Sequence, residues 1–157
     1  MPDVICNTSV IQYLHQLGLL HLFRELYGSV LVPKAVAREI ATGRALGVNL
    51  PNLSNYGWIT VRAVVTPIVA SGELGAGEVA VLSLAVAHPS ALVVMDDGLA
   101  RAYARLAHIR FTGTCGIHAA REGARSHTGD QAINRSARSS GFSFGFWNSA
   151  GYLEAGG

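Results

Sequence analysis

The first 124 residues alternate short apolar runs with segments of helical periodicity, joined by short connections. That alternation is the strongest constraint on the fold. Val4-Ile5-Cys6, Ser29–Val32, Trp58–Val61, Ala91–Met95 and His108–Phe111 each read as a brief strand. A run that is apolar throughout, with no polar alternation, belongs to a strand covered on both faces. Between them, Val10–Leu20, His21–Tyr27, Lys34–Ala41, Gly75–Ala87, Leu99–Ala107 and Gly113–Glu122 carry apolar residues at helical spacing. Strand and helix in strict turn imply a parallel sheet with helices on both faces, a three-layer α/β/α architecture.

Local signals support these elements. Asn7, Thr8 and Ser9 are helix N-cap residue types. Pro33 stands where a first-turn proline is tolerated, and Gly18 is placed to end the first helix. Pro67 argues against a central strand in Val64–Ser71. Thr42–Tyr56, rich in Gly, Asn and Pro, reads as a loop. The expected organisation is a single domain over residues 1–157, with a core at about 3–124 and a helical, aromatic tail over 125–157. Ser126–Ser140 is polar and basic, and Phe142, Phe144, Phe146, Trp147 and Tyr152 crowd the end.

Composition excludes several classes. Half of the residues are hydrophobic and 14% are charged, so disorder is not expected over most of the chain. A net charge of +2 does not by itself attract nucleic acid, so any RNA contact needs locally clustered basic residues. Arg121, Arg125, Arg135 and Arg138 are the candidates for such an edge. Cys6 and Cys115 form no CxxC pair and read as free thiols in a reducing cytoplasm. No basic segment followed by a long apolar run opens the chain, so no signal peptide is expected. The uncharged stretch Val79–Met95 is broken by His88-Pro89-Ser90 and reads as helix, turn and strand, not a membrane span.

In a doubly wound sheet, ligands gather beyond the carboxyl ends of the strands. Asn7 follows the first run, Asp96 and Asp97 follow the Ala91–Met95 run, and Thr112-Gly113-Thr114 follow the last. Glu39 and Glu78 lie at or near helix starts. Four of the ten acids thus occupy privileged positions. Packed carboxylates persist with a cation between them or with raised pKa values. An all-oxygen set selects hard ions such as Mg²⁺ or Mn²⁺, whose usual task in such a cluster is phosphodiester hydrolysis. Simpler roles stand beside these: Asn7 and Ser9 as helix caps, Glu78 as a first-turn acid answering the helix dipole, and Asp96-Asp97 as an N-cap pair. His108, His118 and His127, with Cys115, have no zinc spacing.

Five segments, in order, resemble the PIN-domain proteins, and most of all the compact group similar to VapC toxins. They are Ile5-Cys6-Asn7-Thr8-Ser9, Val32–Ile40 with its Pro33, Val36 and Glu39, Gly75–Ala85 with its Gly77-Glu78, Met95–Ala104 with its Asp96-Asp97 and Arg101, and Gly113–Ile117. Gly141-Phe142-Ser143 resembles a late turn of the same family. The resemblance implies a divalent-metal-dependent endoribonuclease acting on single-stranded RNA, a toxin with an antitoxin partner, and a homodimer without membrane attachment. Carried onto this chain, it implies metal contacts at Asn7, Glu39, Glu78, Asp96 and Asp97, with Mg²⁺ or Mn²⁺ as the ion. Catalysis falls to Glu39, Glu78 and Asp97, Asp97 being slightly preferred over its neighbour. Ser9, Arg101 and Thr114 take supporting roles, with Arg101 read first as scaffold. The family has aspartate where this chain has Asn7, which weakens the ion's site and opens a second reading: a non-catalytic member that binds nucleic acid or regulates. A third reading, an unrelated receiver-like domain, would place its acid pair after the first strand and need a late lysine. Here Lys34 is the only lysine.

Overall fold

The computed structural model describes residues 3–70, 72–126, 146–147 and 153–154. Five strands form one parallel sheet: β1 (Val4–Cys6), β2 (Val30–Pro33), β3 (Ile59–Arg62), β4 (Leu92–Val94) and β5 (Phe111–Thr112). Their order is β3-β2-β1-β4-β5. Six helices cover the sheet: α1 (Thr8–Gln16), α2 (Leu22–Tyr27), α3 (Lys34–Ala45), α4 (Ala76–Ala87), α5 (Gly98–Leu106) and α6 (Thr114–Ser126). The result is the expected three-layer α/β/α arrangement.

β1 is the axis of the sheet. It pairs Val4 with Val30 on one side, and Val4, Ile5 and Cys6 with Leu92, Val93 and Val94 on the other. All three of its side chains are fully buried, as a strand with neighbours on every side requires. The chain steps outward from β1 to β2 and β3, then crosses back to lay β4 on the far side of β1. The strand order therefore reverses between β1 and β4, and a crevice opens where their carboxyl ends diverge.

α4 is the most buried helix. Residues 80–85 are all buried, and α4 packs against both α3 and α5. Its one polar residue in that run, Ser83, is satisfied within the fold: it donates to Val79 O at 2.6 Å and accepts from Ile68 N–H at 2.9 Å. The second of these pins residues 64–70, which form no regular element, to α4.

Several expected boundaries move. α1 stops at Gln16, and Gly18 takes a left-handed backbone just beyond it, at φ 69°. α3 runs one turn past Ala41, to Ala45, and a 3-10 turn at Leu53–Asn55 interrupts the expected loop. The last strand of the sheet is Phe111–Thr112, not His108–Phe111. His108 has φ 54°, a left-handed conformation that closes α5 and cannot lie in a strand. Beyond α6, Phe146–Trp147 (β6) and Leu153–Glu154 (β7) pair antiparallel. Those four residues are strand where a helical tail is expected. Arg135, Arg138, Phe142, Phe144, Tyr152, His127 and the Gly141-Phe142-Ser143 turn lie outside the described residues.

Candidate active site

The crevice between β1 and β4 is a cleft of about 610 Å³. α1 supplies Ser9, Tyr13 and Leu17 to its walls, α4 supplies Glu78, and the β4–α5 junction supplies Asp96, Asp97 and Leu99. Thr114, Cys115 and His118 come from α6. Four of the sequence-predicted residues outside the acid pair are thus placed at or beside one opening: Ser9 and Glu78 on its lining, Thr114 opposite, and Asn7 at the base of α1.

Asn7 caps α1. Its Oδ1 accepts from Val10 N–H at 3.3 Å, so its amide nitrogen Nδ2 points the other way. Asn7 is 2% exposed, and Nδ2 is buried with no hydrogen-bond partner. Thr8, the next residue, is buried and donates to Glu39 Oε2 at 2.5 Å, tying α1 to α3. Glu39 also accepts from the Gly77 backbone N–H at the start of α4. Gly77 must be glycine for this to occur. A Cβ there would sit 2.6 and 2.8 Å from the two Glu39 carboxylate oxygens. Glu39 Oε1 and Glu78 Oε2 remain buried without partners.

Burial pushes the Glu39 carboxyl above its ordinary 4.5, and the nearby Glu78 charge adds to the rise, while the Thr8 and Gly77 hydrogen bonds oppose it. A carboxyl with a raised native pKa holds its proton more tightly folded than unfolded. Its contribution to stability is complete below the unfolded value and is lost as pH climbs through the native value. At neutral pH the ionised Glu39 is therefore a burden on the fold. Glu39→Gln should raise the melting temperature in EDTA near pH 8, and that gain should vanish near pH 4. Thermal unfolding across this range checks it; a gain that does not change with pH would contradict the assignment.

Asp96 and Asp97 divide the tasks. Asp97 is the N-cap of α5, its Oδ1 accepting from Ala100 N–H at 2.7 Å. Asp96 turns toward α6, where its Oδ1 accepts from Thr114 N–H at 2.9 Å and its Oδ2 accepts from the Thr114 hydroxyl. Arg101 reaches back from α5 to pair with Asp96 Oδ1 at 3.3 Å and donates from Nε to Met95 O at 2.9 Å. Its guanidinium also lies 5.9 Å from the centroid of the Phe111 ring. Arg101 thus has the geometry of scaffold. Gly113 leaves room for this junction, since a Cβ there would overlap the Arg101 guanidinium and sit 2.6 Å from Asp96 Oδ1.

Residues 3–135 match the family model described as DUF3368: PIN domain. The chain belongs to the PIN-domain family. PIN domains are in general nucleases and typically depend on divalent metal ions. This PIN domain is similar in fold to a PilT N-terminus domain protein, SSO1118, from the hyperthermophilic archaeon Sulfolobus solfataricus P2, at a TM-score of 0.59. The two are 12% identical over 84% of this chain and 99% of that one, a likeness of fold alone. No curated protein matches the sequence. Family membership removes the receiver-like reading.

The donor set of this PIN domain does not complete a site for a divalent ion. Among the described residues, no group of three or more His, Cys, Asp or Glu side chains is placed to hold a metal. Glu39 and Glu78 offer unpartnered oxygens, but Asp96 is occupied by Thr114 and Arg101. Asn7 turns a nitrogen where a family aspartate would offer a charged oxygen, and an N–H₂ group donates rather than ligates.

Thr8, Gly77, Tyr13, Leu17 and Leu99 are site residues that motif reasoning passed over. Thr8 was visible only as a cap type, and nothing in the sequence pairs it with a glutamate 31 positions away. The apolar three look like ordinary amphipathic helix positions until the cleft is assembled. Cys6 is buried and Cys115 exposed, both free. Among the described residues, no helix is long and apolar enough to cross a membrane.

Proposed function

We propose that this protein is a PIN-type endoribonuclease for single-stranded RNA, of the toxin kind that pairs with an antitoxin, with its divalent-metal site weakened by Asn7. The observation that carries the reading is the orphaned Asn7 Nδ2 beside a pair of carboxylates with orphaned oxygens. A site built for a cation and missing one acid leaves buried polar atoms of this kind unmatched. Glu39, Glu78 and Asp97 are the catalytic carboxylates in this reading. The ion is Mg²⁺ or Mn²⁺, addressed by these three together with Asp96 and the residue at position 7. Ser9 borders the opening, and Arg101 and Thr114 hold Asp96 in place. The protein works as a homodimer in the cytoplasm, a setting in keeping with its two free cysteines.

Calorimetry with Mn²⁺ on the native chain and on Asn7→Asp, each followed by a single-stranded RNA cleavage assay, tests the reading. Asn7→Asp should gain at least about tenfold in Mn²⁺ affinity, roughly 1.4 kcal/mol, and should cleave where the native chain does so weakly or not at all. If neither form binds the ion, the nuclease reading fails. A native chain that binds RNA and gains no turnover as Asn7→Asp favours a non-catalytic RNA-binding member, which the same buried Nδ2 also suits.

A further inference from the structure

Ser9, Tyr13 and Leu17 recur every fourth residue, so they share one face of α1, and that face borders the cleft. The opposite face of α1 buries Val10, Ile11 and Leu14 in the core. Across the opening, Leu99 projects from the first turn of α5, just beyond the Asp97 cap. Leu17 is 40% exposed and Leu99 37%. One exposed leucine needs no explanation. Two of them meeting a tyrosine at the mouth of a cleft that also holds Glu78, Asp96 and Asp97 is a different matter. Apolar walls with a few convergent polar groups are the makeup of a ligand site, and this one has its polar and apolar parts on different sides.

A ligand that satisfies both sides needs a flat apolar face beside a group addressed by carboxylates or by an ion they hold. An unpaired nucleobase on its sugar-phosphate has that shape. A base within a duplex does not, because its faces are already stacked. We propose that Tyr13, Leu17 and Leu99 form a shelf on which one unpaired base of single-stranded RNA rests, which places the adjoining phosphate toward Glu78 and Asp97. This inference rests on the ribonuclease reading. The shelf has no hydrogen-bonding edge of its own in Leu17 or Leu99, so it accepts any base by contact with its face and is tolerant of sequence.

The test uses the full chain and Asn7→Asp in Mn²⁺, with a short fluorescein-labelled single strand of 2′-O-methyl RNA, which resists cleavage. A strand of equal length with abasic sugars serves as the comparison. Combining Leu17→Ser with Leu99→Ser should weaken binding of the intact strand about tenfold, within the range for losing one stacked base. Binding of the abasic strand should be the same for the native chain and the doubly substituted one. Leu17→Phe should hold or tighten the intact strand. Because Leu17 and Leu99 are outside the buried core, these changes leave the fold intact, which Mn²⁺ affinity of the Asn7→Asp forms checks independently. If the double substitution leaves RNA affinity unchanged, or the abasic strand binds as well as the intact one, the shelf is refuted while the ribonuclease reading stands. If neither the native chain nor Asn7→Asp binds the single strand, both are refuted.

Discussion

Without metal, Asn7→Asp should unfold at a lower temperature than the native chain, and Mn²⁺ should reverse the loss. The cap itself is not at stake, since Asp and Asn cap helices about equally well. The cost lies on the other side of the residue. Position 7 is 2% exposed and stands in a site where Glu39 Oε1 and Glu78 Oε2 are already buried without partners. A further buried acceptor left unpaired costs about 1–3 kcal/mol, and more when charged. For a chain of this length each kcal/mol is worth roughly 2–4 °C, so a drop of several degrees in EDTA is expected. An ion that binds only the folded state at a hundred times its Kd returns about 2.7 kcal/mol. The melting temperature of Asn7→Asp should therefore rise steeply with Mn²⁺, while that of the native chain stays nearly flat. Equal Mn²⁺ sensitivity in both would show that Asn7 is not what limits the ion.

Phe23→Ala should be the most damaging single truncation away from the cleft. Phe23 is among the largest fully buried side chains, at 1% exposure, and it sits on α2, a helix of six residues. A helix that short has no stability of its own, so α2 is held by burying Leu22 and Phe23. Removing a buried phenyl ring costs about 3–5 kcal/mol from a total that is typically about 5–15 kcal/mol. α2 also packs on α6, whose first residue, Thr114, fixes Asp96. Phe23→Ala should thus lower the melting temperature by roughly 6–20 °C and blunt Mn²⁺ binding in the Asn7→Asp background. Val65→Ala, at a fully solvated position, is the control and should change little. A small effect at Phe23 would mean that α2 is only loosely docked.

The fold was legible because a parallel sheet writes itself as uninterrupted apolar runs. Val4-Ile5-Cys6 and the Leu92–Val94 core of the fourth run needed no other signal. Pro33 and Gly75 marked helix starts for reasons of backbone geometry alone. The fifth strand was misplaced because His108-Ile109 has strand composition, and the left-handed turn at His108 is set by how α5 ends, not by its own propensity. The candidate site was legible only by position. Strand ends pointed to Asn7, Asp96 and Asp97, yet the division between the two aspartates depends on Thr114, 18 residues after Asp96. Likewise Gly77 reads as a weak point in a helix until Glu39 is seen filling the space its side chain would take. Such relations join residues far apart in sequence, and periodicity carries no trace of them.

The central place of β1 governs the order in which the protein can be completed on the ribosome. β1, β2 and β3 are made first, and they can pair as soon as they emerge. The other edge of β1 stays open until Leu92–Val94 has been synthesised. Through that interval the nascent chain presents an unpaired, wholly apolar edge of the kind that sticks to other chains. The same delay means that the cleft does not exist on a partial chain. Asn7 waits for Asp96, and Asp96 waits for Thr114, so a translation product cut short before α6 lacks an assembled site. For a protein that acts on RNA, being made on an RNA template, this ordering keeps the cleft unformed until most of the chain has left its messenger behind.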